Sequence, residues 1–222
     1  MKRRMSSLLI MVSIIIFITG VYIGTATADK IDEIKAELDS RSWQTRLAAV
    51  EKLKGVKDER AFNLLMEIAD TSVEYWPIKI KAMLILGEIG NPKAIELLLK
   101  IFNDAFLNSE CPSIKSHAAI ALGNFNKDKR VVDALITGID DGETLTREAS
   151  VQSLGKIGNP KAVPFLINAL NDKSFAVKIS AVKALGKIGD PQAIPYLQKI
   201  ADSDNDPYMK NEATSALKEM RK

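Results

Sequence analysis

A chain of 222 residues that holds one cysteine and one histidine has little from which to build chemistry. Cys111 has no partner for an internal disulfide, and a single thiol with a single imidazole, His117, falls short of a zinc ligand set. Stability must come from packing. An excess of charge of one sign is missing too. The formal net charge is +3 and the pI about 8.8, but Lys2, Arg3 and Arg4 account for the surplus, and beyond residue 28 there are 28 basic residues against 28 acidic ones. The basic pI is therefore no nucleic-acid footprint, and no bulk field steers phosphates to the chain.

What is present at the start is an export pattern. Lys2, Arg3 and Arg4 precede an apolar run from Leu8 to Ile23, and Ala26-Thr27-Ala28 supplies the small-x-small pattern of a signal peptidase site. Residues 1–28 read as a signal peptide cleaved after Ala28, with an uncleaved anchor as the alternative, since the run is short for a span of roughly 20 residues. The expected location is the periplasm or beyond, or else the inner membrane through residues 1–28 alone.

The rest of the chain repeats itself. Leu53, Leu86, Leu122, Leu154, Leu185 and Leu217 each follow a small residue by four positions and a basic residue by seven, at intervals of 33, 36, 32, 31 and 32 residues. The small residues are Ala49, Ala82, Ala118, Ser150, Ala181 and Ala213, and the basic ones are Arg46, Lys79, Lys115, Arg147, Lys178 and Lys210. A period in this range marks a solenoid, in which each unit buries its apolar face only against its neighbours. In the fifth unit a helix A expected to open at Asp172 places Val177, Ala181, Val182 and Leu185 on one face. Gly186 to Pro191 then breaks it, and a helix B turns Ala193, Ile194, Leu197 and Ile200 inward. The fold class is all-α: five helix pairs over residues 39–222 closed by a terminal helix from Pro207, with residues 29–38 as an N-terminal cap.

The strings Leu185-Gly186-Lys187-Ile188-Gly189-Asp190-Pro191 and Ala193-Ile194-Pro195-Tyr196-Leu197, with Ala162-Val163-Pro164-Phe165-Leu166 one unit earlier, resemble the HEAT-like repeats named after phycobilisome bilin lyases. The resemblance covers nearly all of residues 39–222 and implies a right-handed α-solenoid, A helices convex and B helices concave. It does not imply an activity, because the repeat is a scaffold on which many sites have been placed. Deoxyhypusine hydroxylases of similar build need several His-Glu pairs for iron, whereas here Ala118 follows the single His117. Bilin lyases act on cytoplasmic proteins, at odds with an export signal, and HEAT-like DNA glycosylases need a basic groove that a neutral chain lacks.

The candidate site residues follow from where the units differ. Leu97, Phe165 and Tyr196 each lie eleven residues after their leucine, at the variable place in helix B, and are expected to form an exposed apolar stripe for a partner, with ordinary packing as the alternative. Trp43, Trp76 and Phe175 open helix A, where an aromatic covers the edge of the previous unit. The alternative there is ligand contact, and Tyr75-Trp76 is the exception that joins the partner-binding candidates, since two adjacent rings in a loop do not both turn inward easily. The six basic residues form a structural ladder, each expected to pair with a turn residue such as Asp58, Asn91, Asn159 or Asp190, the alternative being a row that faces a ligand. The insertion Asn103 to Ser113 is a candidate recognition loop, and Cys111 within it a bystander thiol. The functional expectation is a non-catalytic scaffold for another protein or a peptide segment, with no cofactor and no nucleic acid. The alternative is a lyase-like or enzyme-accessory protein holding a small prosthetic group in the same groove.

Overall fold

The computed structural model of the protein describes residues 30–71 and 74–221, so the expected export segment, residues 1–28, lies outside the described residues. All regular structure among the described residues is helical, and the chain forms two compact units, Met1–Leu65 and Met66–Lys222. In the first, the expected cap is a helix α1 (residues 30–38), followed by α2 (Trp43–Leu53) and the start of α3 (Glu59–Asp70). Ile31, Ile34, Val50, Leu53, Phe62 and Leu65 are its buried side chains. Ser42 caps α2 by accepting from the Thr45 amide at 3.3 Å, and the acceptor of Lys52 Nζ is Glu37, 15 residues back on α1.

In the second unit the repeat sets the order. Helices α4 (Trp76–Ile89), α7 (Pro112–Leu122), α9 (Thr144–Ile157), α11 (Phe175–Ile188) and α13 (Pro207–Glu219) are the A helices, each packed against the next. Helices α5 (Ile95–Asn103), α8 (Lys129–Gly138), α10 (Val163–Ala169) and α12 (Ile194–Ser203) are the B helices, packed against the A helices that follow them. The leucines that define the period, Leu86, Leu122, Leu154, Leu185 and Leu217, are all buried. The outer side of α13 carries Asn211, Thr214, Ser215, Lys218 and Glu219, all exposed, as a polar closure of a stack requires. No described helix is long and apolar enough to cross a membrane.

The two glycines of the repeated turn do different work. The second ends helix A in the left-handed conformation, with φ of 73° at Gly158 and 72° at Gly189, where a side chain would be strained. The first lets adjacent A helices touch: a Cβ on Gly155 would lie 2.7 Å from the Cα of Ala184. The Asn or Asp after the second glycine folds the next turn, as Asn159 and Asp190 do by accepting from the amides of Lys161 and Gln192. In the third unit, where the glycine and proline are absent, Asp128 does the same for Arg130.

Those turn residues are consequently not the partners of the basic ladder, which corrects the expected pairing with Asp58, Asn91, Asn159 or Asp190. The cations reach the turn on the other side, between a B helix and the next A helix. Arg46, Lys79 and Lys210 donate to the carbonyls of Ser40, Thr71 and Asp202, at 2.8, 2.5 and 3.3 Å. Lys115 pairs with Asp141 at 2.7 Å. Arg147 holds Asp172 through Nε and Nη2 at 2.7 and 3.0 Å and donates from Nη1 to the carbonyls of Asp141 and Gly142. Lys178 lies over the Phe175 ring instead. A cation set near the last carbonyls of a helix meets the negative end of its dipole, so each rung except Lys178 ties an A helix to a turn beside it. Asp172 is thereby occupied ahead of α11, accepting also from the Ser174 amide, and the helix opens at Phe175 rather than at Asp172.

Candidate functional site: the B-helix face

Four B helices present equivalent positions to one face, and the residues there change character along the stack. In the earlier units the helices are laced by charge: Lys100 to Asp70 at 2.7 Å, Arg130 to Glu96 at 2.7 Å, and Lys161 to Asp133. Hydrogen bonds donated to Asp128 and Glu96 raise the Arg130 guanidinium above its usual value, and the bond to the Asp70 carboxylate does the same for the Lys100 ammonium. Pro164 and Pro195, in the fourth and fifth units, stand where Glu96 and Asp133 stand in the second and third, so the acid that would accept the next rung is gone. Beside the prolines, Phe165 and Tyr196 are 39% and 48% exposed, and Ile194, which the helical period turns inward, is exposed as well.

Leu97 departs from the expected stripe. It is only 8% exposed, on the floor of a groove of about 850 Å³ that is also lined by Met66, Asp70, Glu96, Lys100 and Arg130. Lys100 and Arg130, each held by its acid partner, line the groove beside it. Tyr196 borders a second groove of about 560 Å³ whose apolar lining is Ile167, Leu170, Ile200 and Met209. The two rings thus sit at the same register on consecutive B helices, and the leucine in that register belongs to the core.

The remaining candidates lie elsewhere. Tyr75 is exposed at the start of α4, and Trp76 is half-buried with the Lys79 ammonium 5.4 Å from its ring. Burial pushes the Lys79 ammonium below its usual value. The insertion folds into a short helix α6 (Ala105–Glu110) that packs on α7 and leaves Phe106 exposed. Cys111 Sγ lies 3.3 Å from Ser113 Oγ and His117 Nδ1 lies 2.7 Å from the Ser113 carbonyl, so thiol and imidazole each engage Ser113. Among the described residues no group of three or more His, Cys, Asp or Glu side chains is placed to hold a metal ion.

Comparison with known proteins follows the same architecture. The model for HEAT repeats matches residues 31–106, 104–171 and 139–218. The complex of CpcE and CpcF of phycocyanin lyase from Nostoc sp. PCC7120 is similar at 25% identity and a TM-score of 0.59, over 84% of this chain and 75% of that one. A designed armadillo repeat protein in complex with the peptide (KR)4 is similar at 18% identity and 0.56, over 85% and 98%. An engineered protein is similar at 16% identity and 0.60, over 86% and 96%. No curated protein matches the chain at a significant level.

Proposed function

The chain belongs to the HEAT-repeat family, whose helical stack is a platform for sites rather than a chemistry of its own, and from that premise we propose a non-catalytic scaffold that docks an extended segment of another protein along its B-helix face. The observation that carries this reading is the change along that face from ion-paired rungs to proline with an exposed ring, at Pro164-Phe165 and Pro195-Tyr196. Ion pairs satisfied within the stack offer a partner little. Half-exposed rings give it surface to cover, Tyr196 beside a groove whose apolar part is Ile167, Leu170, Ile200 and Met209, and aromatic anchors are where interfaces concentrate their energy. A designed repeat protein of similar fold holding a peptide supports a protein partner in general terms. Residues 1–28 serve as the export signal in this reading, and the scaffold works in the periplasm.

The test is an in-cell crosslink from a photoreactive residue at position 196, with mass spectrometry of the adduct. One dominant protein adduct is expected. Binding of the partner so identified should weaken by about tenfold in Phe165→Ala with Tyr196→Ala, with the helical circular dichroism unchanged, since both rings are half-exposed. A folded double variant with undiminished binding would overturn the choice of face.

A second reading, a lyase-like accessory protein holding a prosthetic group in the same groove, is favoured by one observation, the 25% identity with the phycocyanin lyase complex. It predicts visible absorbance in the purified protein. A colourless preparation with a protein adduct at position 196 counts against it.

A further inference from the structure

A second surface, on the A helices, carries a different signature. A groove of about 720 Å³ runs over α9, α11 and α13. Its walls are Phe175 and Tyr208, with ring centroids 6.4 Å apart and planes tilted by 41°. Both rings are exposed. Its floor is made of small residues, Gly155, Ala176, Ser180 and Ala184, because the A helices approach each other most closely there.

Three lysines line it: Lys156, Lys183 and Lys187. Lys156 donates to the amide oxygen of Asn124 at 2.7 Å, which leaves its charge uncompensated. Lys183 lies over the Tyr208 ring and 3.7 Å from Glu212, and Lys187 forms no ion pair among the described residues. The surplus is regional. Between residues 144 and 201 there are eight basic side chains against three carboxylates, in a chain that is otherwise balanced. Those three are engaged, Asp172 by Arg147, Asp190 by the Gln192 amide and Glu148 by Gln152.

We infer that this groove docks an acidic segment of another protein, one in which an aromatic or aliphatic side chain stands beside its carboxylates. The carboxylates meet Lys156, Lys183 and Lys187, each a compact point charge, and the apolar side chain packs over the exposed faces of the Phe175 and Tyr208 pair. An extended polyanion fits less well. On α7, the next A helix along the stack, the one cation is Lys115, already paired with Asp141, so the positive groove does not continue for a phosphate backbone to follow. The site is separate from the B-helix face and does not depend on it.

The experiment uses the full chain and fluorescence anisotropy with three probes: a labelled peptide of repeating Glu-Glu-Phe, the matching Lys-Lys-Phe peptide, and an oligothymidylate. The acidic peptide is expected to bind, more weakly as salt rises, and the other two to bind poorly. Lys183→Gln with Lys187→Gln, both exposed positions, should weaken it by about tenfold with the fold intact, and Tyr208→Ser should weaken it independently. The Phe165→Ala, Tyr196→Ala variant should bind it as the parent does. The inference fails if the lysine variant binds unchanged, if the B-face variant is the one that loses the peptide, or if the oligonucleotide binds as tightly as the acidic peptide.

Discussion

Arg147→Ala should lower stability by about 3 kcal/mol, read as a shift of the urea midpoint with helical signal intact in water. The side chain is 4% exposed, and its guanidinium closes several contacts at once: both oxygens of Asp172, and the carbonyls of Asp141 and Gly142. Removing it strands the Asp172 carboxylate, whose side chain is 11% exposed, and that desolvation penalty is the larger part of the effect. Lys115→Ala should cost less, because its pair with Asp141 is more exposed and the bond is single. The hydrogen bond from Arg147 holds the Asp172 carboxyl below its usual value. A depressed carboxylate binds fewer protons in the folded state than in the unfolded one. Its contribution is therefore complete above the ordinary carboxylate pKa of about 4 and is lost as pH falls through the lower folded value. The parent should lose stability across that acid window more steeply than Asp172→Asn does. Equal acid slopes would show that this rung is not a source of the acid sensitivity.

The period that announced the fold was legible because core positions must repeat. Leu53 through Leu217 and the small residues before them fix the spacing of the A helices, and the observed boundaries follow it. The ladder partners were harder to see. A cation that closes its own unit and one that reaches the next turn have the same sequence spacing to the leucine, so the repeat alone does not separate them. The signal was in a second interval: Asp104, Asp141, Asp172 and Asp204 follow Lys79, Lys115, Arg147 and Lys178 by 25 or 26 residues, across the unit boundary. Asp141 and Asp172 are the partners found at two of these steps.

The site was legible to a lesser degree, for a reason Leu97 makes plain. Register places it with Phe165 and Tyr196, but exposure depends on what the neighbouring helices carry. The Arg130 to Glu96 and Lys100 to Asp70 pairs line the groove at its side, and it is buried. Phe165 and Tyr196 stay open because Pro164 and Pro195 remove the acids that would hold such cations beside them. The A-helix groove went unread because Lys156, Lys183 and Lys187 look like ordinary solvated positions one at a time. Their meaning comes from the local charge balance and from the two rings they adjoin.

The heaviest loss should come from Gly155→Ala combined with Gly186→Ala, about 4 kcal/mol for the pair at about 1–3 kcal/mol for each overpacked contact. A methyl at either position would lie within 3 Å of main-chain and Cβ atoms of the next A helix, 2.7 Å from the Cα of Ala184 and 2.9 Å from that of Ala216. No rotamer relieves a clash with backbone. In a stack stabilised by each unit against its neighbours, the two interfaces open separately and their costs add. The comparison that isolates this cause is Gly158→Ala. There the added Cβ has no atom within 4 Å, and only the left-handed backbone at φ of 73° resists it, at about 1 kcal/mol. Ala184→Gly should not rescue Gly155→Ala, since the Cα that blocks the methyl remains. Full rescue would mean that the Ala184 methyl rather than its Cα sets the clash, and a Gly158→Ala cost equal to that of Gly155→Ala would mean that backbone conformation rather than helix contact governs these positions.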